Sequence, residues 1–71
     1  KKTAVCYIPH HFNAIEAVGF AEAIGLVPGF EVLFVGDQVG PIPSDGGFVE
    51  LTARATISDV DAADVLFIGS G

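Results

Sequence analysis

Few side chains in this sequence can do chemistry, and most of those lie near its start. Glu16 is the strongest candidate. A carboxyl in the first turn of a helix that begins beside strand ends can act as acid or base toward a nucleophile supplied elsewhere. Its structural alternative is a helix-capping charge, worth under about 1 kcal/mol, and spacing alone slightly favours that alternative. His10 and His11 sit where the first strand should end, a favoured place for ligands in a parallel sheet. Adjacent loop histidines point in different directions and make a poor metal pair, so simple exposure competes with a ligand-contacting role. Cys6 lies inside an apolar run. A free cysteine there reads as a buried packing residue, because a reactive thiolate needs partial exposure and a positive neighbourhood.

Other chemistries lack their parts. One cysteine and two adjacent histidines offer no zinc spacing, so no metal is expected. Nor is a cofactor. A dinucleotide site wants Gly-x-Gly-x-x-Gly after the first strand, and Pro9-His10-His11-Phe12-Asn13-Ala14 stands there instead. Asp37, just past the second apolar run, occupies the place of a ribose-binding acid but means little without that loop.

The chain has 71 residues and a formal net charge of −6, with Lys1, Lys2 and Arg54 its only fixed cations. Nucleic acids and anionic membranes are disfavoured as partners, since both need a basic surface. No apolar run approaches the ~20 residues of a membrane span. The first residues show no small-residue cleavage site, so a soluble cytoplasmic protein is expected. A single cysteine permits no internal disulfide, yet 51% of residues are hydrophobic. That is more apolar surface than so short a chain hides, which points to missing chain, a tight oligomer, or both.

The positioning elements read clearly. Thr3 to Ile8 is a continuous apolar run, expected to be a strand covered on both faces. Asn13, with Glu16 three residues on, forms a capping box for a helix from Ala14 to Val27. That helix is apolar almost all round, so its outer face should also be covered, most naturally by a second subunit; Glu22 on it would need a partner if buried. Pro28-Gly29 ends it, and Glu31 to Val35 is a second buried-type strand. Together these form a βαβ unit with parallel strands. Gly40 to Leu51, broken by two prolines and by Ser44-Asp45-Gly46-Gly47, suggests a hairpin or arm at a sheet edge. Thr52 to Ala63 is polar and alanine-rich, with one helical turn near Ser58, and Val65 to Ile68 is a third buried-type strand. A sheet ending on such a strand, with no following helix, would leave a face uncovered.

These pieces, in this order, resemble the first part of the DJ-1/PfpI (ThiJ) superfamily. The resemblance is carried by Ile8-Pro9-His10-His11-Phe12 leading into Ile15-Glu16-Ala17-Val18-Gly19-Phe20, by Pro28-Gly29-Phe30-Glu31-Val32, by Gly40-Pro41-Ile42 and by Ala62-Ala63-Asp64-Val65-Leu66-Phe67-Ile68-Gly69-Ser70-Gly71. It spans essentially all of residues 1–71. It implies a flavodoxin-like, class I glutamine amidotransferase-like three-layer α/β sandwich, incomplete in this chain, which pairs as a homodimer, here through the helix over 14–27. It further implies a cysteine nucleophile on a strand-to-helix elbow beyond residue 71. Glu16 matches the family's early helix-start acid, which works beside that cysteine. Gly71 matches the second glycine of a Pro-Gly-Gly turn that lends a backbone N–H to an anion hole, with Ser70, His10 and His11 beside it as substrate-binding positions. The sequence departs from the family pattern in three ways. Glu16 replaces the Asp common in the isocyanide hydratase branch, His10-His11 replaces a glycine with one residue more, and Gly69-Ser70-Gly71 replaces Pro-Gly-Gly.

Three functions are consistent with this reading. The first is the amino-terminal segment of a cysteine-dependent hydratase or hydrolase similar to isocyanide hydratase, acting on a small molecule; glyoxalase-like or deglycase chemistry uses the same parts. The second is a non-catalytic sensor like the ligand-binding domain of AraC-type regulators. The third, compatible with either, is a fragment that completes its domain with a second polypeptide or a missing segment.

Overall fold

The computed structural model describes residues 2–69. Its core is a βαβ unit. Strand β1 (Lys2–Tyr7) leads through helix α1 (Ala14–Gly25) to β2 (Phe30–Gly36). An antiparallel arm follows, β3 (Gly40–Pro43) and β4 (Glu50–Ala53). After it come β5 (Ala55–Thr56), a single 3-10 turn (Ile57–Asp59) near the expected Ser58, and β6 (Val65–Ile68). The main sheet is parallel throughout, in the order β5-β2-β1-β6. The α/β class, the parallel strands and the arm match the expectations from sequence. The two-residue β5 at the sheet edge was not anticipated.

The strands form because Val5, Cys6, Tyr7 and Val32 to Val35 carry β-branched, aromatic and apolar side chains that fit a pleated, buried surface. Helix α1 starts where Asn13, in extended conformation (φ −80, ψ 111), accepts the Glu16 N–H on Oδ1 at 3.1 Å. It ends two residues before the expected Val27. There Leu26 N–H turns back to Ala23 and Ile24 carbonyls, and Val27 N–H to Ile24 at 3.0 Å. Pro28 explains the early stop, since it disfavours helical geometry in the residue before it. The exposed Gly29 completes the turn in left-handed conformation (φ +87).

The core lies between α1 and the sheet. Register places Cys6 beside Phe34 on one side and Phe67 on the other. Parallel neighbours in register share a face, and Ala17 and Phe20 of α1 pack onto that face with Ile8 and Phe12. The Phe20 and Phe67 rings stack with centroids 4.6 Å apart and planes 11° from parallel. One expectation about burial needs correction: strand β6 is not enclosed on both faces, because Leu66 is 55% and Ile68 66% exposed. Glu22 is exposed, so the condition under which it would need a partner does not arise. The outer side of α1 is as apolar as expected, with Ile15 85% exposed.

Candidate functional site

The strand order fixes where a site can form. The chain moves from β1 outward to β2, then returns to place β6 on the other side of β1. That reversal makes the carboxyl ends of β1 and β6 the topological switch point, where parallel α/β sheets open a crevice for ligands.

Four features meet at this edge. The first is the end of β1 itself, where Ile8 is fully buried and its N–H donates to the Val35 carbonyl at 2.9 Å. The second is the end of β6. Gly69 donates its N–H to the Tyr7 carbonyl at 2.9 Å, and a side chain on Gly69 would place its first carbon 3.1 Å from that oxygen. Only glycine lets the turn lie this close to β1 without a shift. The third is the β1–α1 loop. His10 and His11 are both exposed, and His11 adopts a left-handed conformation (φ 62), uncommon for a residue with a side chain. Its N–H donates to the Pro43 carbonyl at 3.1 Å, while Phe12 forms a β-bridge with Ser44 and accepts the Asp45 N–H at 2.9 Å. The fourth is the first turn of α1, which carries Glu16, exposed and adjacent to the Asn13 cap.

The structure therefore brings Glu16, His10 and His11 to the end of the sheet where the reading placed them. Gly71 and Ser70, the expected anion-hole positions, lie outside the described residues. Cys6 belongs elsewhere. It is fully buried under α1, and desolvation pushes its thiol up to about 11. A thiol so buried is protonated at neutral pH and has no approach for a substrate. The buried-packing reading of Cys6 holds.

Asp37 has a partner that sequence reasoning missed. Its Oδ1 accepts a hydrogen bond from the Tyr7 hydroxyl at 2.9 Å. That bond, burial and the nearby carboxylate charge together hold the tyrosine proton more tightly than usual. The signal was present, since parallel β1 and β2 bring the residues at their carboxyl ends side by side. Asp64 was missed as well: it grips Thr3, accepting its N–H on Oδ2 at 2.8 Å and donating its own N–H to the Thr3 carbonyl at 2.9 Å. This double bond pair sets the start of β6 against β1.

Among the described residues no group of three His, Cys, Asp or Glu side chains could hold a metal, and no enclosed cavity is present. No helix among them is long and apolar enough to cross a membrane. The candidate site is an open edge that carries the exposed Glu16, His10 and His11 and the tight turn at Gly69.

No family model and no curated protein matches the chain. Its structure is similar to the crystal structure of a DJ-1 superfamily protein from Agrobacterium tumefaciens, with a TM-score of 0.83 at 22% sequence identity. The similarity covers 100% of this chain and 38% of that one. Residues 1–71 thus span well under half the length of the protein they match. Strand order, arm and crossover together give the chain an incomplete part of the flavodoxin-like α/β fold seen in that DJ-1 superfamily protein.

Proposed function

We propose that this chain forms part of a cysteine-dependent DJ-1/PfpI-like enzyme of isocyanide-hydratase type, adding water to a small electrophilic substrate. The observation that carries this reading is Glu16 in the first turn of α1, at the sheet edge where the β6 turn closes onto β1. In the reading, the nucleophilic thiolate comes from residues outside 1–71. Glu16 transfers a proton between that thiol and the substrate, and the backbone N–H of Gly71, with Ser70 beside it, stabilises the negative charge that develops on addition. His10 and His11, exposed beside the same edge, line the approach of the substrate. The buried, protonated Cys6 supports placing the nucleophile elsewhere. The exposed apolar Ile15, Val18 and Leu26 support pairing of two copies through α1.

Glu16→Gln tests the acid role. A phenyl isocyanide offered to the intact protein should be hydrated to the formamide, and kcat should fall at least about 100-fold in the variant, as for loss of a general acid–base. Turnover equal to that of the unsubstituted protein would reduce Glu16 to a helix cap. Tight binding of a small molecule without turnover by either protein would favour the sensor function instead.

A further inference from the structure

We propose that the β3–β4 arm is the positioning element of the site, holding the His10–His11 loop and through it the first turn of α1 that carries Glu16. The inference rests on the functional reading of Glu16 for its importance, but its geometry stands apart from that reading.

A continuous series of direct contacts runs from the arm to Glu16. At its base, Ile42 is 4% exposed and packs so closely over Gly36 that a side chain on Gly36 would overlap Ile42 Cδ1. The next residue, Pro43, accepts the His11 N–H at 3.1 Å. Ser44, 2% exposed, bridges Phe12, which is fully buried, and Asp45 donates to the Phe12 carbonyl at 2.9 Å. Phe12 is followed by Asn13, whose side chain caps the Glu16 N–H at 3.1 Å and whose carbonyl accepts the Ala17 N–H at 3.1 Å.

The left-handed His11 is the sign that this clamp is under tension. A non-glycine residue in that conformation persists only where its surroundings over-determine it. Here the surroundings are the arm on one side and the buried Phe12 on the other. Releasing the arm lets His11 relax to an ordinary conformation, which re-aims the chain entering α1. A displacement near 1 Å at a catalytic carboxyl can cost about 100-fold in rate, so a clamp of this kind matters to a site built on an open edge. Pro43 and Ser44 are positioning residues, acting through Glu16 rather than on substrate.

The test uses steric relief. Gly36→Ala places a methyl in overlap with Ile42 Cδ1, and 3.3 Å from the Gln38 carbonyl and 3.4 Å from Ala53 Cβ, pressing on the arm at its base. Ile42→Val removes that same Cδ1. In the intact protein, Gly36→Ala alone should speed hydrogen exchange of the His11 and Asp45 amides by about tenfold and shift the carboxyl carbon resonance of Glu16 in NMR spectra. The double variant Gly36→Ala with Ile42→Val should restore both. A merely structural loss would lower protection across the sheet and would not be repaired by deleting one methyl. Faster exchange at His11 and Asp45 with an unmoved Glu16 resonance would overturn the proposal, as would a moved resonance that the double variant fails to restore. Should Gly36→Ala not fold, Ser44→Pro, which alters the arm residue bridging Phe12, serves in the same measurement, and an unmoved Glu16 resonance with the exchange of Asp45 accelerated again overturns it. Because no turnover is read, failure of Glu16 as an acid would show only in the Glu16→Gln assay and leaves this outcome distinct.

Discussion

The two faces of the sheet around β1 are finished differently. On the α1 face, Cys6, Phe34 and Phe67 lie side by side in register, and Ala17 and Phe20 close over them. On the opposite face, Val5 and Val35 are buried, but their neighbours Leu66 and Ile68 on β6 stay open. One strand therefore contributes its odd residues to a packed layer and its even residues to solvent: Phe67 and Val65 are half-buried, Leu66 and Ile68 exposed. The difference teaches where the stability of this chain resides. The α1 side is closed across β2, β1 and β6, the other side only over Val5 and Val35 of β1 and β2, and the candidate site lies at the sheet's end.

The comparison breaks most sharply at the stacked ring. Phe67→Ala removes half of the Phe20–Phe67 pair and opens a cavity under α1. It should cost roughly 2–3 kcal/mol in denaturant unfolding, somewhat below the ~3–5 kcal/mol of a fully enclosed ring, because Phe67 is only half-buried. A loss under about 0.5 kcal/mol would show that α1 is not held through β6.

A pH titration of stability sharpens the comparison further, since each face carries one group that keeps its proton longer in the folded protein. The Cys6 thiol on the α1 face is raised from 9.0 to about 11 by burial. Tyr7 on the other face is raised above 10.0, chiefly by its bond to Asp37. In both cases the unfolded chain ionises first and binds fewer protons than the folded one, so stability falls as pH rises. The loss should begin near pH 9, where unfolded Cys6 ionises, and continue to about pH 11. Cys6→Ala should flatten the lower part of that window, and an unchanged slope would contradict the burial of the thiol.

The smallest effect is expected on the open face. Replacing Leu66 and Ile68 together by Ser should change the stability of the chain by no more than about 0.5 kcal/mol if both remain in solvent. A loss several times larger in the intact protein would reveal that a further element or subunit covers β6.

Much of this was legible in the sequence where the signal is local. The uninterrupted apolar runs at Thr3 to Ile8 and Glu31 to Val35 announced the paired strands, and Asn13 with Glu16 announced the helix start to the residue. Ser44-Asp45-Gly46-Gly47 marked the arm's turn, where Gly46 and Gly47 both take positive φ. Strand β5 was not legible because two residues carry no periodicity. The apolar run over Val65 to Ile68 read as a strand covered on both faces, while the lack of a following helix pointed to an uncovered face; the exposed Leu66 and Ile68 follow the second signal. At the site, the placement of Glu16, His10 and His11 followed from the βαβ reading. The left-handed His11 did not, since a histidine does not advertise that conformation as a glycine would. It sits between the His11 N–H bond to the Pro43 carbonyl and the Asp45 N–H bond to the Phe12 carbonyl, far along the chain, and such tertiary contacts leave no mark in local spacing.

The central claim is that the nucleophile of this site is a thiolate other than Cys6. Mapping the cysteines of the intact, native protein after brief treatment with iodoacetamide at neutral pH tests it most directly. The account predicts rapid alkylation of a cysteine outside residues 1–71, slowed by Glu16→Gln, with Cys6 unmodified until the protein is unfolded. Rapid alkylation of Cys6 in the native protein, or no reactive thiol at all, would contradict it.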